Sequence, residues 1–202
     1  MTEDEPLRGL LKAIVAADTM TVDEILAACH AISRAVVTKG ASRGEADVFL
    51  PEIQHHVYAG DTALHIAAAA YQVEILRQLI GFGADVAAAN RRGAQPLHYA
   101  ADGMPGSDSW NPAAQAAVIA SLVSSGADPD AIDKSGVTPL HRAVRKRCAA
   151  AVEALLASGA DPLRRNGKGS TPMMLAIKAT GRGGSGAPVM KAQQAEIIRM
   201  LG

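Results

Sequence analysis

Gly136-Val137-Thr138-Pro139-Leu140-His141-Arg142-Ala143 is the stretch that decides the fold. It reads as a turn running into a helix. Gly136 can take the positive φ of a tight turn. Thr138 is a natural N-cap, its hydroxyl free to accept an early helical N–H. Pro139 follows at the first helical position, where its missing N–H costs nothing. Leu140 and Ala143 stand three apart and share one helix face, with His141 between them.

The octet recurs as Gly60-Asp61-Thr62-Ala63-Leu64-His65-Ile66-Ala67 and as Gly93-Ala94-Gln95-Pro96-Leu97-His98-Tyr99-Ala100. Gly169-Ser170-Thr171-Pro172-Met173-Met174-Leu175-Ala176 closes the series, with Met174 in place of histidine. The starting glycines fall at 60, 93, 136 and 169, spaced by 33, 43 and 33 residues. A second echo, Gly-Ala-Asp at Gly83, Gly126 and Gly159, keeps the same register. Thr-Pro-Leu-His-x-Ala at a period of about 33 residues resembles the ankyrin repeat. The resemblance covers roughly residues 57–202 well and the first 56 loosely. It implies an all-α ankyrin-repeat solenoid: stacked helix-turn-helix units joined by short hairpin-like turns.

On this register residues 1–56 form an N-terminal helical cap, a degenerate repeat, followed by a connecting loop. Four repeats then span about 57–90, 91–134, 135–168 and 169–202, with insertions near 103–112 and 179–191. The cap reads as two helices within 7–38, the second starting from Thr21 with Glu24 completing a capping box. The second helices carry apolar stripes: Ile75, Leu76, Leu79 and Ile80; Val118, Ile119, Leu122 and Val123; Val152, Leu155 and Leu156. Residues 39–56, with Gly40, Ser42, Gly44 and Pro51, read as a surface loop.

The chain has 202 residues and no net charge, but the balance is uneven. Residues 1–130 hold 16 acids and 8 bases, and residues 131–202 hold 4 acids and 12 bases. An elongated molecule with oppositely charged ends makes a statement about partners. No run of about 18 apolar residues suggests a membrane span. The acidic start, Met1-Thr2-Glu3-Asp4-Glu5, is unlike a secretory leader, so cytoplasmic residence is the expectation. Cys29 and Cys148 are too far apart along a solenoid to suggest a disulfide.

Catalysis finds little support. His65, His98 and His141 form a tempting set. The resemblance gives them a structural role, hydrogen-bonding within and between neighbouring turns. Asp85, Asp128 and Asp161 each follow Gly-Ala after a helix, where a side chain bonds local backbone N–H groups. Gly181–Gly186 and Gly167-Lys168-Gly169-Ser170 lack the lysine and hydroxyl spacing of a phosphate loop. His55 and His56 have no third ligand nearby in sequence. No enzyme, cofactor or metal is expected.

The resemblance implies a concave groove of turn tips and first helices that binds a protein partner. By register its lining includes Tyr58, Asp61, Ala69, Ala70, Arg91, Arg92, Tyr99, Asp102, Lys134, Arg142, Arg145, Lys146, Lys168 and Lys178. Arg142, Arg145 and Lys146 stand three and four apart on one helix side, beside the tip residues Lys134 and Lys168. That suggests a partner with an acidic segment, bound by a monomer. Trp110 lies in the second-repeat insertion. It is either an interface anchor, a role in which Trp is enriched, or a side chain folded back on its own or the adjacent repeat. An inhibitor or immunity-type protein that blocks a toxin or enzyme is the alternative. Nucleic-acid binding is disfavoured by the lack of interleaved aromatics.

Overall fold

A computed structural model describes residues 5–40, 49–108, 110–178 and 188–202. Helices come in pairs: α1 (Glu5–Val15) with α2 (Thr19–Ala28), α3 (Ala63–Ala69) with α4 (Val73–Gly81), α5 (Pro96–Ala100) with α6 (Pro112–Ser124). Then follow α7 (Pro139–Lys146) with α8 (Ala149–Ala157), and α9 (Pro172–Ile177) with α10 (Pro188–Leu201). A 3₁₀ turn, His30–Arg34, and a two-stranded hairpin, β1 (Phe49–Leu50) and β2 (His55–His56), lie between the first two pairs. The described chain is thus an all-α repeat fold apart from this short hairpin. The Gly181–Gly186 loop and most of the 179–191 insertion lie outside the described residues.

The pairs stack in two layers. First helices contact first helices, from α1 to α3, α5, α7 and α9, and second helices contact second helices, from α2 to α4, α6, α8 and α10. Small residues make the inner layer possible. Ala63, Ala67, Ala68, Ala100, Ala101 and Ala143 are fully buried, and only a methyl group separates neighbouring backbones there. The outer helices supply the bulk. Ile75, Leu76, Leu79, Val118, Ile119, Leu122, Val152 and Leu155 are all buried, following the stripes read from the sequence. Burying a side chain of this size is worth about 1.5–3 kcal/mol.

Within three pairs the reversal turns on a left-handed residue that is not glycine: Ala17 at φ 57°, Tyr71 at φ 56° and Arg147 at φ 59°. The first of these moves a boundary. Asp18, not Thr21, caps α2, its carboxylate accepting from the Thr21 amide at 3.0 Å and the Thr21 hydroxyl at 2.7 Å. The sharp turn at Ala17 lets the helix begin three residues earlier than the Thr-x-x-Glu pattern suggests.

The tips between pairs are built alike. Asn90, Asp133 and Asn166 each stand three residues before a starting glycine. Each side-chain oxygen accepts two backbone N–H groups: from Arg92 and Ala94, from Ser135 and Val137, from Lys168 and Ser170. Successive tips are then tied together. Arg91 N–H donates to Ala59 O, Lys134 N–H to Arg92 O and Gly167 N–H to Ser135 O, at 2.9, 2.9 and 3.0 Å. This close approach explains glycine at position 136. It sits at φ 67°, and a Cβ there would lie 2.6 Å from the Gly167 nitrogen.

Candidate functional site: the groove and the cavity beneath its hairpin

The three repeated histidines fasten one repeat to the next. Backbone N–H of Thr62, Gln95 and Thr138 donates to Nδ1 of His65, His98 and His141, at 3.1, 3.2 and 3.4 Å. An Nδ1 that accepts leaves the proton on Nε2, which donates to the following repeat: to Ala94 O, Val137 O and Ser170 O at 3.0, 2.9 and 3.0 Å. Those carbonyls also receive N–H from Asn90, Asp133 and Asn166, so the histidine joins the tip that follows it. Burial pushes all three imidazoles below their usual pKa, His98 to about 4, with the nearby Arg142 charge adding to its shift. They are neutral, fully engaged groups without a free nitrogen for chemistry.

The residues expected in the groove divide into two groups. Arg91, Arg92, Lys134, Arg145, Lys146, Lys168 and Lys178 are exposed. Arg92 stacks over Tyr58 with its guanidinium 4.1 Å from the ring centre, and Arg91 lies at 5.7 Å from the same ring. Tyr58 is half-buried, as are Ala69 and Ala70.

The other group faces inward, which corrects the expectation that it meets a partner. Asp61 is 0% exposed and Tyr99 1%. The Tyr99 hydroxyl donates to the Asp61 carboxylate, which also accepts from Asn90 Nδ2 at 2.8 Å and from Tyr58 N–H at 2.7 Å. Arg142 is not a free groove cation. Its guanidinium pairs with Asp102 at 3.0 Å and with Asp133 at 3.5 Å, all three half-buried. Asp102 therefore serves the same ion-pair network. The basic surface shrinks to Arg145, Lys146 and the tip residues around them.

Residues 49–56, expected as a surface loop, instead fold against the ends of the first helices. Leu50 and Ile53 pack against the core, and the His55 ring lies 4.6 Å from that of Tyr99. Burial holds the His55 imidazole below its usual pKa. Beneath the hairpin is a cavity of about 100 Å³, bounded by His55, the end of α3 at Ala69 and Ala70, Asp102 after α5, Trp110, and Lys146 at the end of α7.

Trp110 forms one wall. It is half-buried, and its Nε1–H donates to Gln115 Oε1 at 2.9 Å. Gln115 in turn donates to Ala100 O at 2.9 Å, so the second-repeat insertion is tied to its own repeat. The thiol of Cys148 is buried behind it, and burial raises its pKa to about 12. Among the described residues no group of three His, Cys, Asp or Glu side chains could hold a metal ion, and no helix is long and apolar enough to cross a membrane.

The sequence reading missed two parts of this site. The Asn/Asp three residues before each tip glycine is a recurring signal and was available. The hairpin had none, because 39–56 follows neither the repeat period nor a clear strand alternation.

A family model described as Ankyrin repeats (3 copies) matches residues 22–107 and 112–201. No curated protein matches the chain.

Proposed function

The chain belongs to the ankyrin-repeat family, whose repeats are generally protein–protein interaction modules, and from that premise we propose that it binds a protein partner bearing an acidic segment. The contact surface is the open part of the concave side, formed by the tips and first helices of repeats three and four. One observation carries this reading. Lys134, Arg145, Lys146 and Lys168 are exposed on neighbouring tips and one first helix, and none belongs to an ion pair among the described residues. Tip-to-tip hydrogen bonds hold that backbone rigid, so binding need not order it. In repeats one and two the hairpin already lies against the ends of the first helices.

Steering by such a surface acts mainly on association rate and weakens with salt. Crosslinking pull-down with mass spectrometry recovers the partner. The Lys134→Glu/Lys168→Glu variant should then associate markedly more slowly at low salt, with the difference shrinking as salt rises. Unchanged association at low salt overturns the acidic-partner reading.

A further inference from the structure

The cavity under the hairpin has a chemical character of its own. A buried water needs roughly 10–15 Å³ of such space, so about 100 Å³ is room for several waters or one small organic ligand. Three features narrow the ligand's class.

The first is charge. The carboxylates of Asp61 and Asp102 lie near His55, and Arg142 is the one cation paired with Asp102 among the described residues. Asp61 is surrounded by neutral hydrogen-bond donors. With Lys146 exposed, two carboxylates against one half-buried guanidinium that Asp133 also claims leave a negative potential, which a low-dielectric interior screens poorly. The second feature is unmet hydrogen bonding. Asp102 Oδ1 and His55 Nε2 are buried without a partner. The carboxylate oxygen can only accept, and the imidazole nitrogen accepts in its Nδ1–H tautomer. Both side chains border the cavity, one on the repeat and one on the hairpin. The third is the wall material. Tyr71, Tyr99 and Trp110 bring aromatic rings to the same space, and Ala69 and Ala70 leave it unfilled. Aromatic faces attract cations. A bare metal ion is the poorer match, since no set of three metal-ligating side chains exists among the described residues.

We propose that this cavity binds a small organic cation, a primary ammonium or guanidinium on a short apolar stem, whose head donates to Asp102 and His55. The stem lies against Ala69, Ala70 and Trp110. Asp102 Oδ1 and His55 Nε2 both call for a donor, and a cationic head adds to its donors the charge that the carboxylate attracts, which a neutral or anionic group of the same size does not. Lys146 borders the same cavity while remaining exposed. Its ammonium competes with the ligand for the negative field. The site shares Lys146 with the proposed partner surface of repeats three and four but does not depend on a protein partner.

Trp110 is the protein's single tryptophan and reports directly on the cavity. The full chain is titrated with n-butylammonium, agmatine, 1-butanol and butyrate at constant ionic strength, following Trp110 emission. The two cations should give saturable changes, with 1-butanol and butyrate at least tenfold weaker. Asp102→Asn should weaken n-butylammonium binding at least tenfold. Because that variant also loosens the pair with Arg142, Ala70→Leu provides a second arm. It fills the cavity from a half-buried wall position and should abolish binding while the helical circular dichroism is kept. Lys146→Met should strengthen binding severalfold by removing the competing charge. The proposal is overturned by equal responses to all three charge types, by preference for butyrate, by binding that survives Ala70→Leu, by weaker binding in Lys146→Met, or by no saturable response.

Discussion

The Tyr99 hydroxyl donates to both oxygens of the Asp61 carboxylate, at 2.8 and 2.9 Å, although 38 residues separate them. One residue opens the first repeat and the other lies in the first helix of the second. The bond lies at the junction of the two, together with the Asn90 amide. Tyr99→Phe removes the donor and leaves a fully buried carboxylate one partner short. The expected loss is about 1–3 kcal/mol of stability, the cost of an unmet buried acceptor. Urea unfolding measures it, and an unchanged midpoint would show that Asp61 is satisfied without Tyr99.

The histidine set makes stability depend on pH. The folded pKa of each is below the unfolded value of about 6.5, so the unfolded chain binds more protons as pH falls. The stabilisation is therefore complete above about pH 6.5 and declines as pH falls toward the folded values, about 4 for His98. Well inside that window one such group contributes a slope of up to about 1.4 kcal/mol per pH unit. His98→Gln should be less stable at pH 7 yet lose less between pH 7 and pH 5. Parallel stability profiles for the two proteins would count against the neutral His98 bridge.

Arg142 and Lys168 separate stability from surface charge. Arg142→Gln leaves Asp102 and Asp133 half-buried without their cation, and should cost on the order of 2–3 kcal/mol. Lys168→Gln, at an exposed tip, should change stability by less than about 0.5 kcal/mol. Thermal unfolding of the two variants makes the comparison. Equal small losses would mean that the Arg142 ion pairs contribute little in solution.

Gly103 lies where the second-repeat insertion crosses the third repeat. A Cβ there would come within 2.8 Å of Cys148 Sγ, 2.9 Å of Tyr71 Oη and 3.1 Å of Trp110 Nε1. Gly103→Ala should destabilise by about 1–3 kcal/mol, the usual penalty of overpacking. It should also shift Trp110 emission, since the indole must move. A variant with wild-type stability and spectrum would show that the insertion yields easily.

Much of the fold was legible because the repeat signals are local and periodic. Thr138, Pro139 and His141 act within one turn, and a spacing of 33 residues brings each octet to the same place on its neighbour. The role of Asp85, Asp128 and Asp161 is equally local: each accepts from the amide two residues on, at 2.9, 2.9 and 2.8 Å. Outer-helix stripes behave the same way, since helical period alone decides which side faces the stack.

The sequence by itself therefore determined the repeat register and the apolar stripes of the outer helices, which follow from short-range geometry repeated at a fixed period, while the bridging role of the histidines was what the resemblance to ankyrin repeats implied. Only the tertiary structure decided which polar groove residues meet solvent. Asp61 and Tyr99 are enclosed by each other, and Arg142 is claimed by Asp102 and Asp133, which lie 40 and 9 residues away. The hairpin at 49–56 roofs a cavity because it folds back across first helices beyond its own place in the chain. Burial and pairing of a charge depend on what distant segments bring to it, and no local pattern in the sequence carries that information.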